Sequence, residues 1–131
     1  MHRCKDTKVQ RNKGYHNLLV WQKARAFVKL IYETTDKFPK SEIFGLTSQL
    51  RRATVSVILN IVEGDRRKSS KELFRFLDVA DSSLAEVEAC LELTLDLKFI
   101  SEDTFNLLEN KRRELAVMLI AFSRSVQLRS K

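Results

Sequence analysis

The sequence predicts an all-α protein, an up-down antiparallel four-helix bundle, and three observations carry that prediction. Apolar residues recur at intervals of three and four through four separate segments. Only three glycines and one proline occur in 131 residues, which nearly excludes an all-β sandwich with its many turns. The connections between segments are short, so consecutive helices should run antiparallel. A chain of this length is one domain and buries roughly two-thirds of the surface its unfolded form exposes, enough for a core without metal or disulfide. With 44% hydrophobic and 31% charged residues it is too apolar for disorder and too charged for a membrane span. No uncharged apolar run approaches the ~18–20 residues of a spanning helix, and the N-terminus lacks a signal-peptide core. Cys4 and Cys90 fit a reduced cytoplasmic protein better than a disulfide scaffold.

Residues 1–14 show no apolar periodicity and read as a basic, mobile arm: either a disordered tail or an arm that closes on RNA or DNA. Residues 15–131 form the bundle. The first helix spans about Leu18 to Lys37, with Val20, Ala24, Phe27 and Ile31 on one face, and Pro39 stops it. The second runs from near Leu46 to Glu63, with Gly64 as its C-terminal glycine. It carries two apolar faces. One is Leu46, Leu50, Ala53, Val57 and Ile61; the other is Val55, Ile58 and Val62. Such a helix must be covered on both, at a bundle centre or a subunit interface. The third opens with a capping box, Ser69-Ser70-Lys71-Glu72, and follows the seam Leu73, Leu77, Ala80, Leu84, Val87, Leu91 to about Leu97. The fourth starts after Ser101, with Glu102 and Asp103 in its first turn, on the seam Phe105, Leu108, Leu115, Leu119, Phe122, Val126.

The net charge of +7 is strongly segregated. Residues 1–14 hold +4, residues 45–75 hold +4 and residues 111–131 hold +5, whereas residues 76–110 hold −8. Complementary helices of one bundle could neutralise each other, or the uncompensated arginines form a polyanion-binding surface.

Several stretches together are diagnostic: Leu19-Val20-Trp21-Gln22-Lys23-Ala24; Phe38-Pro39-Lys40; Phe44-Gly45-Leu46-Thr47-Ser48-Gln49-Leu50-Arg51-Arg52-Ala53; Asn60-Ile61-Val62-Glu63-Gly64; Ser69 through Leu73; Arg75-Phe76-Leu77; and Ser83-Leu84-Ala85-Glu86. The chain resembles the bacterial 23S rRNA intervening-sequence proteins over nearly everything after Tyr15, most specifically in the block Gly45–Ala53. That family is similar in fold to the accessory protein of diversity-generating retroelements, a basic pentamer that binds nucleic acid and a reverse transcriptase. The resemblance implies a cyclic homopentamer and nucleic-acid binding. Two positions depart from the family pattern: Ile58 stands where a proline is usual, which should straighten the second helix, and Ser82 stands where a glycine is usual.

No GxxxxGK[ST], GxGxxG or CxxC motif is present, so no cofactor is implied. The Glu-x-x-His pairs of a di-iron bundle are also missing, and neither cysteine has a His/Asp constellation for nucleophilic catalysis. Cys90 reads as a small core hydrophobe. The acidic stripe Asp78, Asp81, Glu88, Glu92, Asp96 could hold Mg²⁺ for a nuclease. A solvated or salt-bridged face is the commoner outcome, and the metal site is rejected. Trp21 could stack, but helical spacing places it on or beside the apolar face, in the core or at an interface, and Asn60 reads as an amide that fixes register in a helical assembly rather than as a catalytic group. Glu63 opposes its helix dipole and needs an arginine: Arg66 or Arg67, or Arg51/Arg52 of another subunit.

The candidate nucleic-acid-binding residues are Arg51, Arg52, Arg66, Arg67, Lys68, Lys71 and Arg75, with Lys111, Arg112, Arg113 and Arg124 on the last helix. Aromatics fall mostly on core seams, so contacts would be to backbone and shape, with low sequence specificity. The expected function is non-enzymatic binding of RNA or DNA by a homo-oligomer without membrane association. The alternative is a protein–protein adaptor, for which the basic turn is merely exposed.

Overall fold

The computed structural model describes residues 14–129. The basic segment expected to form an arm lies, apart from Gly14, outside the described residues. Four α-helices follow a short 3-10 turn at Gly14–Asn17: α1 (Leu19–Thr35), α2 (Leu46–Asp65), α3 (Ser70–Asp96) and α4 (Glu102–Arg129). Each packs on its chain neighbours, and α1 also meets α4, closing a four-sided bundle with α2 and α3 in the most extensive contact. Among the described residues there is no strand and no helix long and apolar enough to cross a membrane.

The predicted seams form the core, except that Leu46, Phe105 and Phe122 pack half-buried against it. Val20, Ala24, Phe27 and Ile31 of α1 are buried, as are Leu50, Ala53, Val57 and Ile61 of α2. The full α3 seam joins them, with Leu108, Leu115, Leu119 and Val126 of α4. Cys90 lies buried among these residues, where desolvation first and the Glu86 carboxylate second push its thiol pKa up. Such a thiol packs as an apolar group.

Local chemistry sets the ends. α1 stops at Thr35, two residues short of the expected Lys37. The Thr34 and Thr35 hydroxyls donate back to the Leu30 and Ile31 carbonyls at 2.9 and 2.7 Å, and buried Phe38 draws the chain across the bundle end, where its ring meets Phe99 at 5.6 Å. Glu42 caps α2, its Oε1 accepting from the Leu46 N–H at 3.0 Å. α3 begins as its sequence indicates, with Ser69 Oγ accepting from the Glu72 N–H at 3.1 Å. It ends in a Schellman motif: Lys98 takes φ 64°, while the Lys98 and Phe99 amides donate to Leu95 and Thr94 carbonyls, each at 2.9 Å. Ser101 accepts from the Thr104 N–H at 3.1 Å and caps α4.

One expectation is corrected. Gly64 does not terminate the second helix, which continues to Asp65, with Arg66 as its C-cap. A Cβ at Gly64 would lie 2.8 Å from Leu73 Cδ1 and 3.0 Å from Phe76 Cβ, so the glycine serves the close approach of α2 to α3. The Asn60 amide donates within α2 to the Ser56 carbonyl at 2.7 Å and to Ser56 Oγ at 3.2 Å, and Ser83 Oγ of α3 donates to the same Ser56 Oγ at 2.8 Å.

Candidate nucleic-acid interface

The α2–α3 corner concentrates five of the candidate cations. α2 finishes its last turn with the Arg66 and Arg67 amides donating to the Glu63 and Gly64 carbonyls, and the Ser69 cap starts α3 three residues later. That tight corner leaves Arg66, Arg67 and Lys68 exposed, and Lys71 and Arg75 stand exposed on the first turns of α3, four residues apart on one face. Arg67 is positioned twice: its Nη2 donates to Glu63 Oε1 at 3.1 Å, and its guanidinium stands 4.7 Å from the Phe76 ring centroid. This settles which arginine answers Glu63. An exposed pair of this kind is worth roughly 0–1 kcal/mol, so Arg67 can exchange it for a phosphate.

The other candidates lie elsewhere. Arg51 brackets α1 to α2, its Nε donating to Thr35 Oγ1 at 2.8 Å and its guanidinium 4.4 Å from the Tyr32 ring centroid. Arg52 is exposed beside it on a shallow surface with Val55, Leu59 and Asn60. Arg51 is fourteen residues from Asp65, so this pair stands about 21 Å along α2 from the corner. Lys111 and Arg113 are exposed on α4, and Arg113 Nε donates to Glu109 Oε2 at 3.0 Å. Arg124 borders a groove of about 400 Å³ between α3 and α4, opposite Asp78 and Asp81.

Arg112 is different. It is 8% exposed, and its Nε and Nη2 donate to Glu109 Oε1 and Oε2 at 2.9 and 2.7 Å in a parallel fork. Glu88 of α3 adds a carboxylate oxygen at 3.5 Å. Glu109, 6% exposed, stands outside both the acidic stripe and the basic candidates, and its local signal is the helical ion-pair spacing Glu109-x-x-Arg112. The Arg112 fork, aided by Arg113 and opposed by burial, holds the Glu109 carboxyl below the usual carboxylate range. Burial, the Glu109 fork and the nearby Glu88 carboxylate thus take Arg112 out of the accessible cations.

Of the acidic stripe, Glu88 faces this arginine while Asp78, Asp81, Glu92 and Asp96 are exposed. The nearby Glu86 accepts from Gln49 of α2. Among the described residues no group of three or more His, Cys, Asp and Glu side chains is placed to hold a metal ion.

The 3-10 turn brings a further feature to the corner. Tyr15, His16 and Trp21 are half-buried and form a ring trio, with centroids 4.6 Å apart for Tyr15–His16, 4.6 Å for His16–Trp21 and 5.4 Å for Tyr15–Trp21. Trp21 also touches the edge of the core, as its helical spacing indicates.

Fold and surface together define a four-helix-bundle protein with a cationic corner. The family model for the 23S rRNA-intervening sequence protein matches residues 16–121, and the chain belongs to that family. No curated protein matches the chain. Among solved structures, a protein of unknown function from the S23 ribosomal protein family of Bacteroides thetaiotaomicron VPI-5482 is similar at 22% identity, with a TM-score of 0.76. The match covers 81% of this chain and 96% of that one, and it shows the shared fold.

Proposed function

We propose that this protein binds RNA or DNA without acting on it chemically, through phosphate contacts made by its cationic corner. The observation that carries the reading is the set Arg66, Arg67, Lys68, Lys71 and Arg75: five exposed cations at one helix–helix corner, of which Arg67 alone has an ion pair among the described residues. Arginine forks match phosphate oxygens, and contacts of this type hold the backbone with little regard to sequence. The family's link to ribosomal RNA inserts favours a nucleic-acid ligand over an acidic protein.

Assembly belongs to the same reading. The second face of α2 keeps Val55, Ile58 and Val62 half-buried and Leu59 56% exposed, beside Tyr32 at 41%. A second copy covering this face, in the cyclic homopentamer implied by the resemblance, would set five cationic corners around one axis.

Counterion release supplies the test. Affinity for a structured RNA and for a DNA duplex, measured between 50 and 200 mM salt, should fall steeply. Replacing Arg66, Arg67 and Lys68 together by Gln should reduce the log–log salt slope by about 2–3, one lost phosphate contact per cation. An unchanged slope would transfer support to the adaptor reading. Dissociation of the assembly by the same substitutions would assign these residues to a subunit interface instead.

A further inference from the structure

The ring trio and the cationic corner occupy the same end of the bundle. α1 and α2 run antiparallel, and Arg51 anchors their far end against Tyr32 and Thr35. From Thr35 back to Trp21 is fourteen residues, as it is from Arg51 on to Asp65, about 21 Å along each helix. Trp21 therefore stands level with the end of α2. The 3-10 turn supplies a direct marker: a Cβ at Gly14 would lie 3.9 Å from Asp65 Oδ2, immediately before Arg66.

The rings are held in place without being sealed in. Tyr15 O accepts from the Leu18 N–H at 3.0 Å and His16 O accepts from Gln22 Nε2 at 2.9 Å, which ties the turn to α1. No residue of the turn is buried. The Arg25 guanidinium, exposed on the next turn of α1, stands 5.6 Å from the Trp21 ring centroid. Half-exposed rings, pre-positioned against one another and bordered by arginines, are what an unpaired base needs: a flat apolar face to stack on and cations for its flanking phosphates. A duplex keeps its base faces covered by its own stacking and could use only the cations.

We infer that this end of the bundle is a single-strand site, in which Tyr15 and Trp21 stack unpaired bases while Arg66, Arg67 and Lys68 hold the adjoining phosphates. The inference rests on the nucleic-acid reading above and sharpens it from any polyanion to single-stranded RNA or DNA. It also departs from the expectation of backbone contacts alone, because folding brings together rings and cations that lie some fifty residues apart in the sequence.

The single tryptophan makes the test direct. Oligo(dT) of about twenty nucleotides and a duplex of similar length are titrated into the full chain, following both anisotropy of the labelled nucleic acid and Trp21 emission. Oligo(dT) should quench Trp21 and the duplex should leave its emission unchanged. Tyr15→Ala, with helical content checked by circular dichroism, should weaken oligo(dT) binding about tenfold, leave duplex affinity unchanged and keep the salt slope. Equal binding of both probes with no change in Trp21 emission would overturn the single-strand site while leaving nucleic-acid binding standing. Binding of neither probe at low salt would overturn both.

Discussion

Glu109 and Arg112 show how one residue pair changes the meaning of a basic run. Lys111-Arg112-Arg113 looks uniform, yet Arg112 is 8% exposed and forks onto a carboxylate that is 6% exposed. Removing Arg112 leaves the buried Glu109 carboxylate with only the exposed Arg113 to answer it. Arg112→Met should therefore destabilise the bundle by about 3 kcal/mol at pH 7, and adding Glu109→Leu should recover most of that loss. Denaturant unfolding checks both. The pH dependence has a definite sign. The folded-state carboxyl of Glu109 is depressed, chiefly by the Arg112 fork, so the pair's contribution is complete above the ordinary glutamate value of about 4.3 and is lost as pH falls through the lower folded value. The cost of Arg112→Met should accordingly shrink at pH 3. An equal cost at pH 3 and pH 7 would contradict the charge account.

At the scale of elements, helix ends divide into those written in local chemistry and those decided by a neighbour. The Ser69 and Ser101 caps are local, needing only a hydroxyl three residues before a free amide, and both helices start where the sequence places them. Gly64 is the opposite case. A glycine after an apolar run ordinarily marks a C-terminus, but here Leu73 and Phe76 of α3 occupy the space a Cβ would need and the helix continues. Gly64→Ala gains about 1 kcal/mol of helix propensity yet meets Phe76 Cβ at 3.0 Å, close to the backbone where little can yield. Overpacking of about 1–3 kcal/mol should win, lowering the unfolding midpoint. A raised midpoint would mean that α2 and α3 separate easily, and would weaken the account of their close packing.

At the scale of the whole molecule, the second face of α2 is where the proposed assembly can be tested. Leu59 is exposed in the single chain, so Leu59→Asp should leave its helical content intact. Covered by a second copy, the same position would bury an unpaired carboxylate. Light scattering should find an oligomer, most simply five subunits, at tens of micromolar, and the variant should shift it towards monomer. A wild-type monomer at that concentration would remove the assembly proposal and leave the cationic corner to act singly.

What the sequence by itself determined is the set of helices, the seams they bury and the position of the basic turn. Each follows from spacing along the chain: the three-and-four period, the cap hydroxyls and the run Arg66-Arg67-Lys68 are local properties that survive without knowing any neighbour. The family, too, was legible there, in the block from Gly45 to Ala53 and the segments around it. Tertiary structure alone decided which charges remain free and which rings meet them. Arg112 reads like Arg113 until Glu109 and Glu88 are placed around it, because charge availability depends on burial and on partners from another helix. Trp21 reads as core or interface, and Tyr15 as no more than the start of the bundle, until the antiparallel return of α2 sets Arg66 at their end of the bundle, since adjacency across helices is a product of packing and not of sequence distance.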